Sequence, residues 1–173
     1  MENTINILSV ILPLIIFGII IIYIIKSFLQ NESKQRIQAQ LLETRKVLIP
    51  LKFQAYERLS LFLERITPEN ILIRINKPGI SAKELHLMCI NSIKQEFEHN
   101  LSQQVYVNYD TWMVIRKAKS EIEKLINETA KELKKDDNAM TFSTELLTSF
   151  VSLQINPIES AQRKLKQEIE LHF

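Results

Sequence analysis

Residues 7–25 read ILSVILPLIIFGIIIIYII, and no Asp, Glu, Lys or Arg lies between Asn3 and Ile25. As a helix rising about 1.5 Å per residue, these 19 residues cover roughly 28 Å, close to the ~30 Å hydrocarbon core of a bilayer. A helix is the expected form, because lipid offers a bare backbone no hydrogen-bond partner. Pro13 and Gly18 are compatible with it, since both are tolerated in membrane helices, and Pro13 marks a place for a bend. Tyr23 and Phe28 stand near one end, where aromatic rings favour the interface.

A core helix of a soluble protein rarely needs 19 uncharged residues in a row. A cleaved signal peptide wants a basic start, a shorter apolar run and a small-residue cleavage site. Here the chain begins Met-Glu-Asn-Thr, and Lys26-Ser-Phe-Leu-Gln offers no A-x-A pattern. The stretch is therefore expected to be an uncleaved transmembrane anchor over residues 4–27. No Lys or Arg precedes it, whereas Lys26, Lys34, Arg36, Arg45 and Lys46 follow it. Basic flanks stay cytoplasmic. The expectation is a single-pass protein of the cell (inner) membrane, with the N-terminus outside and the body in the cytoplasm.

The 148 residues after Ile25 suffice for one domain with its own core. The net charge of +2 conceals an asymmetry. Residues 26–58 carry seven Lys/Arg against Glu32, Glu43 and Glu57, while residues 59–173 carry 15 basic and 16 acidic residues. The basic excess beside the anchor fixes topology, and it also suits anionic headgroups. A neutral distal body gives nucleic-acid binding little support. Gly18 and Gly79 are the only glycines. That excludes a Walker loop, a dinucleotide fingerprint and a G-x-S-x-G elbow, all of which need several. Hairpin-rich folds also lean on glycine turns, so helices are favoured. Cys89 stands alone, which excludes an internal disulfide and a cysteine zinc site.

Beyond the anchor, Ile37, Leu41, Leu48, Leu51, Ala55, Leu59, Phe62 and Ile66 recur at helical period. Residues 28–50 are expected as a juxtamembrane helical stalk and residues 51–173 as the bundle domain. Pro50 should kink or briefly break the helix, with a bend favoured because the stripe keeps its phase. Thr67-Pro68-Glu69 reads as a helix start. Residues 71–75 are ambiguous between strand and helix; the cap favours helix. Lys77-Pro78-Gly79 is a turn. Ser81-Ala-Lys-Glu84 is a capping box, opening a helix to about Gln103 with Leu85, Cys89, Ile93, Phe97 and Leu101 inward. Asn108 should cap the next helix, which turns Trp112, Ile115, Ala118, Ile122, Leu125, Thr129 and Leu133 inward. Residues 134–138 form an exposed loop. Thr141 or Ser143 caps a helix through Leu153, and Asn156-Pro157 opens a last one with Ile158, Ala161, Leu165 and Ile169 inside. The fold class is all-α: an N-terminal transmembrane helix, then a bundle of four to six helices. Either its stripes bury one another, or the stripe Ile37 to Leu51 faces a partner or the membrane.

Little chemistry is legible. Glu96 and His99 form one Glu-x-x-His spacing, which carboxylate-bridged metal bundles use twice together with two further glutamates. They are the only metal-ligand candidates, and no metal, cofactor or catalytic residue is expected. Glu168 and His172 sit four apart near the C-terminus. His86 precedes Cys89 by three, but the thiol falls on an apolar stripe and reads as structural. Trp112 and Phe97 read as core anchors. Asn31, Asn100 and Asn127 open glycosylation triplets that a cytoplasmic body would leave unused.

The runs QAYERLSLFLERITPEN (residues 54–70) and EFEHNLSQQVYV (residues 96–107) resemble an uncharacterised bacterial family of single-pass membrane proteins with a C-terminal helical domain. The resemblance implies that anchor and domain belong together, and it carries no activity or catalytic residue. The expected function is a non-enzymatic interaction or scaffold module at the cytoplasmic face, partnered by the bilayer and by another protein or itself. The alternatives are a stalk-like subunit of a membrane complex, or a metal-binding bundle enzyme using Glu96 and His99.

Overall fold

The computed structural model describes residues 2–134 and 137–172, with residues 2–15 and His172 described by backbone alone. The described residues form α1 (Glu2–Arg65), α2 (Pro68–Ile75), α3 (Ala82–Asn100), a 3-10 turn (Leu101–Val105), α4 (Tyr109–Glu132), α5 (Ala139–Val151) and α6 (Pro157–His172). They include no strand, only one antiparallel bridge between Ser81 and Asn138. The described residues are therefore all-α with six helices, and residues 71–75 are helical.

The chain divides into two compact units, Met1–Ile49 and Pro50–Phe173. Of the kink or brief break expected at Pro50, no break occurs, and helix α1 runs through it. The proline forgoes only the bond its missing N–H would make, and the turns on either side keep theirs. In the first unit every described side chain is exposed except Gly18 and Glu32, which are half-buried. Ile37, Leu41 and Leu48 are exposed, so in this unit the periodic stripe covers no core. Among the described residues α1 is the one helix long and apolar enough, by length and composition, to cross a membrane.

In the second unit the stripe continues as core: Ala55, Leu59, Phe62 and Ile66 are buried, as is Tyr56. The helices that cover them start where the sequence carries caps. The Thr67 hydroxyl accepts from the Asn70 N–H at 3.4 Å, with Pro68 in the first turn. The capping box forms between Ser81 and Glu84, and it holds the exposed Glu84 carboxyl below the usual carboxylate range, through the Ser81 backbone N–H first and its hydroxyl second. Between them Gly79 takes φ +84° after Pro78, the left-handed conformation that the third position of a type II turn requires. Asn156 Oδ1 accepts from the N–H groups of Ile158 and Glu159 to start α6.

Helices α3 and α5 differ from expectation in where they start or end, and α4 in how it is capped. Helix α3 stops at Asn100, and the chain tightens into the 3-10 turn before Tyr106. Asn108 sits at the N-cap of α4 but makes no side-chain cap bond. Helix α5 is capped neither by Thr141 nor by Ser143 but by Asn138, whose Oδ1 accepts from the Thr141 N–H at 2.9 Å. Ser143 lies inside that helix, buried, with its hydroxyl donating to the Ala139 carbonyl at 2.7 Å. Asn is the better cap because its side chain reaches the third N–H ahead without entering the helix. Of the loop over residues 134–138, Lys135 and Asp136 lie outside the described residues.

Helix α4 packs along α6, α3 along α4 and α5, and α2 against α3 and α5. Trp112, Ile115, Ala118 and Ile122 are buried as expected, but the next core position is Ile126, and Leu125 is only half-buried. A row of rings crosses the core. Phe62 meets Phe97 at 5.9 Å between centroids, Phe97 stacks on Trp112 at 5.6 Å, and the Lys119 ammonium lies 5.1 Å from the Phe97 centroid.

Candidate functional site

Helices α1, α2 and α3 bring together three charged side chains. The Arg65 Nη1 donates to both oxygens of Glu96 at 3.1 and 3.2 Å, and the Arg74 Nη1 donates to Oε1 at 2.8 Å. Arg74 also donates to the Arg65 carbonyl at 2.8 Å, so one guanidinium ties the ends of α1 and α2 to α3. Burial pushes the Glu96 carboxyl up, but the hydrogen bonds from Arg74 and Arg65 and their positive charges outweigh it and leave the group below the usual range. The carboxylate is committed to two guanidiniums. His99, one turn on, is exposed. Among the described residues no three of His, Cys, Asp and Glu stand close enough to hold a metal ion, and the side chain of His172 lies outside the described residues.

Cys89 and His86 are not paired for nucleophilic chemistry. Cys89 is fully buried, and burial pushes its thiol up to about 12. The thiolate is the reactive form, so Cys89 is expected to resist maleimide in the folded protein and to label only after denaturation. Rapid labelling of the native chain would show that α3 opens. His86 turns instead towards α4: its Nε2–H donates to Asn127 Oδ1 at 2.8 Å, and its ring meets Phe142 edge-on at 6.2 Å.

Beside that bond, α3 and α4 frame a groove of about 520 Å³, a size that suits a small ligand. Its apolar surface comes from Ala82, Ala130 and Leu133, and Lys83, Lys131 and Lys134 stand around it with His86 and Asn127. Nothing in the sequence placed these residues together. Lys83 and Lys131 lie on different helices, and only the packing of α3 on α4 joins them.

A third cluster lies in the core. Glu168 of α6 is 3% exposed, and its Oε1 accepts from the Tyr56 hydroxyl at 3.1 Å and from the Asn108 N–H at 2.9 Å. Its Oε2 is buried without a hydrogen-bond partner among the described residues. The carboxylate thus accepts from the N-cap residue of α4 across from another helix, and negative charge is favourable at that helix end. A signal for Glu168 was present: Ile158, Ala161 and Leu165 step by three and four, and the next step of three lands on it.

The match to known proteins spans the whole described chain. A family model described as a family of unknown function (DUF7935) covers residues 2–172. The chain belongs to this family. The family therefore includes α1 together with the helices of the second unit, as the resemblance in residues 54–70 and 96–107 led one to expect. No curated protein and no solved structure matches the chain.

Proposed function

We propose that the protein is a single-pass membrane protein whose α1 holds a non-enzymatic helical docking module at the cytoplasmic face. The exposed run Ile16, Phe17 and Ile19 to Ile25 supports this reading. Leaving a large apolar side chain in water forgoes roughly 1.5–3 kcal/mol, and lipid is the medium that covers such a helix on every side. Lys26, Lys34 and Arg36 support a cytoplasmic side for the second unit, since basic flanks favour that side. The test is alkaline extraction of membranes, combined with protease access to N- and C-terminal tags in intact cells. The protein is expected to stay in the pellet with only the N-terminal tag cut. Release into the alkaline supernatant would overturn the anchor, and cleavage of the C-terminal tag would overturn the orientation. For the docking role, crosslinking in membranes followed by capture should yield a discrete adduct with a partner or a second copy; a chain recovered alone would count against it.

A second reading, a stalk subunit, draws support from the continuity of α1 through Pro50. The burial of Ala55, Leu59, Phe62 and Ile66 weighs against it, since these turns are part of a core. Inserting seven residues after Glu43 would lengthen the helix by about 10 Å with little change of face. A stalk that fixes distance would lose its crosslinked partner, whereas a tether would keep it.

A further inference from the structure

The geometry points to the groove between α3 and α4 as a binding site for a small ligand with a phosphate group on an apolar body. This inference rests on the second unit alone and stands whether or not α1 crosses a membrane. Helix α4 pairs its earlier lysines with an acid one turn on: Lys117 with Glu121 at 3.7 Å, Lys119 with Glu123 at 2.7 Å, and Lys124 with Glu128 at 3.7 Å. The pattern stops at the groove, where the residue four beyond Lys131 is Lys135. Among the described residues Lys83, Lys131 and Lys134 make no ion pair. Of the acids near the groove, Glu84 is held in its capping box, Glu128 pairs with Lys124, and Asp137 accepts from the Lys134 N–H at 2.7 Å.

Lys83 is placed against its own helix. It stands in the first turn of α3, where the macrodipole is positive and a cation is unfavourable. An anion in the groove would relieve that repulsion and be met by α3's positive end as well as by three ammonium groups. The cations are all lysine. Lysine binds phosphate as a point charge, and three ammonium groups around one groove suit a multiply charged group. The bond from His86 uses Asn127 Oδ1, which leaves the amide Nδ2–H groups of Asn127 as further donors. Ala82, Ala130 and Leu133 offer the apolar body its contact.

Two sources present this chemistry, a soluble phosphomonoester and the headgroup of an anionic lipid. The full chain, reconstituted in phosphatidylcholine nanodiscs, would be titrated with phenyl phosphate and, as a control, benzyl alcohol. Protection of Lys83 and Lys131 from acetylation would be followed by mass spectrometry. Phenyl phosphate should bind and protect both lysines, and benzyl alcohol should do neither. Lys83→Gln with Lys131→Gln should weaken binding by about tenfold or more, as expected for lost charge-assisted contacts. Lys94→Gln, an exposed lysine outside the groove, should leave it unchanged. Repeating the footprint in nanodiscs containing phosphatidic acid assigns the source: protection without added phenyl phosphate identifies the lipid headgroup, and protection only on adding phenyl phosphate identifies a soluble ligand. Absence of protection under both conditions would overturn the proposal, as would binding indifferent to the double substitution.

Discussion

Trp112→Ala should destabilise the second unit by about 3–5 kcal/mol, the range for deleting a buried large aromatic. Trp112 is 6% exposed and ends the ring row that starts at Phe62 and passes through Phe97. Its removal opens a cavity between α3 and α4 and strips the stacking partner from Phe97. Stacked rings contribute about 0.5–1.5 kcal/mol beyond the area they bury. For a unit of this size the melting temperature should fall by roughly 10–20 °C, read by circular dichroism on the intact chain in detergent. Phe97→Ala should cost less, because Phe97 is only half-buried, although the sequence presents the two as equivalent anchors. A loss below about 1 kcal/mol for Trp112→Ala, well under the cavity range, would mean that the ring row is not central to the core.

Glu168→Ala should cost about 1–3 kcal/mol, the penalty for leaving a buried donor without an acceptor. It leaves the Tyr56 hydroxyl and the Asn108 N–H at the start of α4 without an acceptor. Glu168→Gln keeps an acceptor in place and should retain most of the stability. The same cluster predicts an alkaline transition. Burial first, then the Glu168 charge and hydrogen bond, push the Tyr56 hydroxyl up to about 12, against about 10 in an unfolded chain. Above pH 10 the unfolded chain releases that proton while the folded protein holds it. Stability is therefore full below pH 10 and falls as pH rises towards 12, by up to about 2–3 kcal/mol. Denaturant melts from pH 8 to 12 should show this loss in the parent, less of it in Glu168→Gln, and none of the tyrosine component in Tyr56→Phe. A parent and a Tyr56→Phe protein with the same alkaline profile would remove Tyr56 from the account.

The two units respond differently to sequence reading. The apolar run over residues 7–25 is legible as a helix long enough to span a bilayer, because its length and lack of charge are local properties of the sequence. Helix starts were legible at Thr67, Ser81 and Asn156, where cap and acid are local in the sequence. The start of α4 at Asn108 was legible as well, whereas that of α5 at Asn138 was misjudged. Several polar residues cluster before α5, and only the fold picks the one whose side chain meets an N–H. At α4 the Asn108 N–H finds its acceptor in Glu168, 60 residues away.

What the sequence determined by itself is a helical chain, an apolar stretch long enough to span a bilayer, and the faces each later helix must bury. Those properties depend on composition and on spacing within a few residues. Tertiary structure alone decided that one continuous stripe is exposed at Ile37, Leu41 and Leu48 and buried from Ala55 onward. It decided that Glu96 meets Arg65 and Arg74, and that Lys83, His86 and Lys131 share a groove. A period of 3.6 states which side of a helix is apolar, but it carries no information about what lies against that side. Contacts between residues tens of positions apart exist only once the helices have packed.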